Sequence, residues 1–277
     1  MIKRVLLVTT LSLNYIFASP LSYINSIRKS SGLMPLSYNS NLALAAKKHA
    51  IYVNKTKEFS HYERKTSKYY FASTPWYRIV KAGYKTKVVV ENITFVERNY
   101  KESIDNLMAT VYHRLAFLYN QIDNIGYAKS GTIFVYDMSN SKDIVPATLF
   151  NKAINKMKRE SKDIIVYPYK NQKNVPILGA EETPRFLYST FGHPITATFN
   201  SGYYKNIRLL EFKLFNKNRK VPAKIVSSKN DINSKIRKGT FVLVPMDKLK
   251  SNTTYKVVLK AKLNGKIKTL KWYFTTR

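Results

Sequence analysis

The chain has 277 residues, 44% of them hydrophobic, which suits one large or two ordinary domains with packed cores. Its 48 Lys+Arg against 16 Asp+Glu leave a net charge of +32. The absence of cysteine excludes a disulfide scaffold, a thiolate zinc site, a cysteine nucleophile and a lipidated N-terminal Cys.

The N-terminus reads as an address. A short positive stretch, Met1 to Arg4, precedes a mostly apolar run of 13 residues at 5–17, and Ala18 offers a small residue before a cut. That layout marks residues 1–18 as a cleaved signal peptide, with secretion or a periplasmic location as its consequence. The run is too short to span a bilayer and carries Thr9, Thr10, Ser12 and Asn14.

Residues 19–163 have mainly helical grammar. Leu21, Ile24 and Ile27 recur at helical spacing, and Gly32 stops that helix. Asn39 or Ser40 caps a second helix, whose Leu42, Ala45, Ala46, His49, Ala50 and Val53 share a face. Thr74-Pro75 and Gly83 bracket a third. Asn99 and Glu102 start a fourth, with Ile104, Leu107, Met108 and Val111 as its stripe. Strands follow at 122–128 and 132–138, then a basic helix at 151–161, which makes this half α+β.

Pro168, Pro176 and Pro184 mark 164–184 as a connector. In 185–277 the period changes to two, with strands expected at 195–199, 207–215, 240–244, 255–263 and 266–275, the last pair joined by Asn264-Gly265. Several short strands without helical period argue for an immunoglobulin-like β-sandwich. Residues 183–277 hold 21 Lys+Arg and only 3 Asp+Glu. Lys256, Lys260, Lys262, Lys266, Lys268 and Lys271 recur so that many share a sheet face or lie across the turn. They form an anion-binding face or, alternatively, a solvated face that protects strand edges.

Several segments in order resemble the bacterial branch of the CAP superfamily, the cysteine-rich secretory proteins, antigens and pathogenesis-related proteins, whose bacterial domains are called SCP-like. They are Gly32 to Tyr38 (GLMPLSY), Leu44 to Ala50 (LAAKKHA), Phe59-Ser60-His61, Thr74-Pro75, Arg78, Lys81 to Tyr84, Glu91-Asn92-Ile93, His113-Arg114 and Ile125-Gly126. The resemblance implies an α–β–α sandwich with a cleft holding His61, Glu91 and His113. A second family glutamate falls at Thr110 here, and Val90 replaces a glycine.

Two imidazoles and a carboxylate are a donor set for Zn²⁺ with an open position, although a spacing of 30 and 22 residues matches no one-helix zinc motif. Such a site would activate water, with Glu58, Glu63 or Glu102 as base, and make the chain a metal-dependent hydrolase. The other reading is a hydrogen-bonded cluster without chemistry. The sequence favours a binding protein of the cell envelope over an enzyme, its basic domain meeting an anionic polymer or a protein partner. Lipid or sterol binding in the CAP cleft is a third expectation. Lysines interleaved with Tyr69, Tyr70 and Phe71 suit nucleic-acid stacking, which a secretory address disfavours.

Overall fold

Each early helix begins where a side-chain oxygen accepts the free amides of its first turn. In the computed structural model, which describes residues 19–141, 147–187 and 189–277, Ser19 caps α1 (Pro20–Ser31) and Asn39 caps α2 (Ser40–Thr56). Thr74 caps α3 (Pro75–Lys81), and Asn99 caps α4 (Tyr100–Ala109). The expected signal segment, 1–18, lies outside the described residues. Among the described residues no helix is long and apolar enough to cross a membrane.

The fourth helix is shorter than its stripe implied. Val111 lies beyond it and opens α5 (Tyr112–Phe117), a six-residue helix that hydrophobic periodicity did not separate. Strands β1 (Ser37–Tyr38), β2 (Val89–Thr94), β3 (Asn124–Ser130) and β4 (Ile133–Ser139) form a sheet in the order β1-β3-β4-β2. Alternation along β4 divides the core in two. Phe134, Tyr136 and Met138 pack with Ile24 and Ile27 of α1, Ile104 and Leu107 of α4 and Phe117 of α5. Ile133 and Val135 pack with Ala46, Ala50 and Val53 of α2, whose Leu42 and Ala45 meet Ile79 of α3. The half is thus a three-layer α–β–α sandwich.

Helix α6 (Ala147–Glu160) starts four residues earlier than expected. The segment read as a connector differs more. It contains β5 (Ile164–Tyr167) and β6 (Gln172–Val175). Pro168 and Pro176 each follow a strand's last residue, where a missing N–H costs the ladder nothing. The remaining strands are β7 (Ile195–Phe199), β8 (Ile207–Asn216), β9 (Arg219–Lys220), β10 (Ala223–Ser227), β11 (Thr240–Pro245), β12 (Thr254–Leu263) and β13 (Lys266–Thr276). They complete two sheets, β10-β11-β7-β5 and β6-β13-β12-β8-β9. The sheets share one core, with Ile195, Ala197 and Phe199 on one side and Leu214, Val257, Leu259 and Trp272 on the other. Asn264 and Gly265 both have positive φ, 47° and 88°, as the tight turn between β12 and β13 requires.

The two halves are packed together. Val111 of the first shares a cluster with Phe186, Phe191, Val226, Ile236, Val242 and Val244 of the second, and Tyr112 and Leu115 pack against it. Arg114 of α5 is fully buried and donates to the Pro194 carbonyl at 2.6 Å and to His193 Nε2 at 3.0 Å. Burial pushes the Arg114 guanidinium down to about 10 and holds His193 well below its usual range, so the imidazole is a neutral acceptor.

Candidate functional site

Helix α2 lies directly on strand β3 because Gly126 has no side chain. A Cβ there would stand 2.0 Å from the Ala43 nitrogen. That close approach brings buried His49 over the face of the sheet that carries Glu91 of β2 and Asp137 of β4, which are opposite each other in the strand register. The loop between α2 and α3 adds His61 and Glu63, and α3 adds Arg78.

The six side chains form one ionic cluster. Arg78 Nη2 donates to Glu91 Oε2 at 2.7 Å, and His61 Nδ1 donates to Glu91 Oε1, also at 2.7 Å. His49 Nδ1 donates to Glu63 Oε1 at 2.9 Å, while its Nε2 lies 2.9 Å from the Ser60 carbonyl. The two ring nitrogens thus each face an oxygen of the loop between α2 and α3. Glu63 Oε2 accepts the Phe71 amide at 2.7 Å, and Arg78 Nη2 also donates to the His61 carbonyl at 3.0 Å. Burial alone would raise the Glu91 carboxyl, but Arg78, His49 and His61 together hold it well below the usual carboxylate range. Burial, and next the Glu91 charge, push the Asp137 carboxyl well above that range, so it favours the protonated form. Of these groups only His61 reaches solvent appreciably, with its side chain 39% exposed.

Zinc does not fit this arrangement. Glu91 spends one oxygen on a guanidinium and the other on His61, whose Nδ1 proton is in that bond. His113 is not part of the cluster. Asn92, the next residue on β2 and on its other face, donates from Nδ2 to the His113 carbonyl at 3.0 Å. Among the described residues no group of three or more His, Asp or Glu is placed to hold a metal ion. The expected set of His61, Glu91 and His113 therefore splits into a bonded pair and a separate histidine, because consecutive strand residues face opposite layers.

His113 has acquired a different carboxylate. Its Nδ1 lies 3.2 Å from Thr110 Oγ1 and 3.2 Å from Glu182 Oε2. Glu182 also accepts the amides of Val111 at 2.8 Å and Tyr112 at 2.9 Å, the first free donors of α5. A residue 72 positions after Thr110 thus stands by the histidine where Thr110 itself offers no charge. Of the bases considered from sequence, Glu63 alone joins the buried cluster. Glu58 pairs with Tyr52 and Arg64, and Glu102 with Arg98.

Register sorts the six lysines of the hairpin. Lys256, Lys260, Lys262 and Lys271 pair with or stand beside outward residues of the five-stranded sheet, while Lys266 and Lys268 fall opposite Leu263 and Ala261 on its inner side. Lys268 is bound by Asp163 at the rim. Sequence reasoning did not single out Asp137 or Glu182. Asp137 had a signal, a lone acid inside the apolar run 133–138. Glu182 had none.

With this geometry in view, comparison with known proteins shows what part of the first half is similar to. Residues 21–132 match the model of the CAP: Cysteine-rich secretory protein family. The matched segment includes His61, Glu91 and His113 but ends before Asp137 and Glu182. No curated protein matches the chain. Similar solved structures include an extracellular SCP-domain protein from Bacillus anthracis str. Ames, 17% identical with a TM-score of 0.41, the match covering 44% of this chain and 39% of that one. An outer surface protein from Borrelia burgdorferi is 22% identical with a TM-score of 0.38, covering 43% of this chain and 88% of that one. A cysteine-rich secretory protein from Staphylococcus aureus subsp. aureus Mu50 is 21% identical with a TM-score of 0.36, covering 44% of this chain and 37% of that one. The chain thus spans well under half of the first and third of these proteins.

Proposed function

We propose that this chain is a secreted or periplasmic CAP-domain protein that works by binding, with an Ig-like C-terminal sandwich that contacts an anionic polymer of the cell envelope. The observation that carries this reading is the one-sided charge of the five-stranded sheet. Its outward face gathers Lys213, Lys256, Lys260, Lys262, Lys271 and Arg208, and holds a single acid, Glu211, 3.1 Å from Lys213. Edge protection accounts for lysines on outer strands and on the part of β8 that β9 leaves unpaired, but β12, which carries Lys256, Lys260 and Lys262, is flanked by β13 and β8 along nearly its whole length. A cationic face on interior strands costs self-repulsion that an anionic partner relieves.

The CAP segment supports binding rather than hydrolysis. Its polar cluster is internally neutralised, and Arg78 occupies the carboxylate that a metal or a proton transfer to substrate would need. The test is co-sedimentation of the full chain with insoluble envelope material across a salt series. Binding should fall linearly in log–log form between about 0.05 and 0.5 M NaCl, as counterion release dictates. A bound fraction that ignores salt would refute the electrostatic reading.

A further inference from the structure

Three depressions share bordering residues in series, the first at the junction of the two halves and the other two on the second half. The first, about 340 Å³, lies between α5 with the turn after it and the strands β7 and β11; it is bordered by Lys235, Arg237 and Lys238. The second, about 270 Å³, shares Lys238 and Thr240 with the first and adds Arg208 and Lys229. The third, about 320 Å³, shares Lys205, Arg208 and Lys238 with the second and ends at Lys262. Among the described residues no acid borders the second or third depression. The one acid bordering the first, Glu91, is already paired with Arg78. None of these cations is paired with a carboxylate among the described residues.

The Arg237 side chain and the backbone turn that carries Lys238 are held in place before any ligand arrives. The Arg237 guanidinium stacks 3.6 Å from the centroid of the Tyr119 ring, which leaves its N–H edges to fork onto two oxygens of a phosphate. Gly239, at φ 87°, makes the turn that follows Lys238. A Cβ there would meet the Phe199 carbonyl oxygen at 3.2 Å. The Thr240 amide closes that turn on the Arg237 carbonyl at 3.1 Å, and Ile236 is buried beneath it. Concave walls of one charge sign concentrate the field more than a flat face does.

Resting on the reading of the chain as a polyanion binder, we propose that these depressions are one groove that seats a linear, hydroxyl-bearing phosphodiester polymer. Phosphates would meet the successive cations. Hydroxyls would meet Asn120, Gln121, Thr198 and Ser201, which border the first depression. Single-stranded nucleic acid fits less well, because base stacking needs an open aromatic face. Tyr119 is covered by Arg237, Tyr112 is held by Asp231 and Asn233 and packs edge-on against Phe186, and Phe199 and Phe241 pack edge-on against each other at the core.

The experiment is titration of the full chain with a fluorescent glycerol-phosphate oligomer, beside an oligothymidylate of equal charge and inorganic polyphosphate. Two variants remove the same charge: R237A/K238A in the groove and K256A/K260A on the outward face. Arg237 and Lys238 are exposed, so the thermal midpoint of the groove variant should match the parent. The groove pair should weaken glycerol-phosphate binding at least about tenfold and reduce the salt slope by about two, the face pair by less than about threefold. Equal losses in both pairs, or losses confined to the face pair, would overturn the groove and leave polyanion binding standing. Tighter oligothymidylate binding would replace the polymer class with nucleic acid. No binding of any of the three probes would overturn both the groove and the proposed function.

Discussion

Replacing Glu182 with Ala removes the side chain that accepts the first amides of α5. Val111, the residue at the helix cap, supplies none of its own. Two amide donors at 2.8 and 2.9 Å lose a charged partner, and His113 loses a carboxylate at 3.2 Å. Hydrogen bonds to a charged group contribute about 1.5–3 kcal/mol each, so with incomplete additivity the loss should be about 3–5 kcal/mol. Glu182→Gln keeps an acceptor without the charge and should cost about 1–2 kcal/mol. Because α5 packs directly against the second half, the Ala variant should also loosen the coupling of the halves. The two tryptophans report separately, Trp76 on α3 and Trp272 in the sandwich core. Denaturant titrations of the parent, E182A and E182Q, each also carrying W76F, compare the sandwich signal with far-UV circular dichroism. The expected result is one transition in the parent and separated transitions in E182A. An E182A chain within about 0.5 kcal/mol of the parent, with coincident transitions, would refute the capping argument.

Asp137→Asn tests the buried proton. The native carboxyl sits well above its usual range through burial and the neighbouring Glu91 charge, so its penalty is absent below the unfolded Asp value of about 3.9 and grows above it. The stability of the Asn variant relative to the parent should therefore rise with pH from about 4, by at most about 1.4 kcal/mol per unit; a difference flat in pH would contradict the assignment. Glu91 works in the opposite sense, its stabilisation being present above the unfolded Glu value and lost as acid protonates it. Gly126→Ala puts a methyl 2.0 Å from the Ala43 nitrogen and 2.2 Å from the Leu42 carbonyl carbon, so α2 must lift from β3. A loss on the order of 3–5 kcal/mol by thermal unfolding is expected, and an unchanged midpoint would show that the helix does not rest there.

Local grammar alone located four helices with their caps, the β3–β4 hairpin and the Asn264-Gly265 turn. Each depends on residues within one turn of helix or one strand pair: Asn39 on the amides of Asn41 and Leu42, Asn264 and Gly265 on their own φ. The CAP resemblance was legible for the same reason, as short segments in order over residues that the family model matches. Periodicity could not find α5, which has only six residues and is capped by Glu182 from far along the chain. Nor could proline content tell a connector from strands that end at Pro168 and Pro176. The candidate site divided in the same way. His61, Glu91 and His113 were visible as residue types, but which of them meet depends on the alternation of β2, which turns Glu91 toward His49 and Arg78 and Asn92 toward His113. The positive charge, too, was plain from composition. Its gathering into one groove required the approach of the Gly239 turn to Phe199 and the docking of α5 against the sandwich, contacts between residues 40 to more than a hundred positions apart that no local pattern encodes.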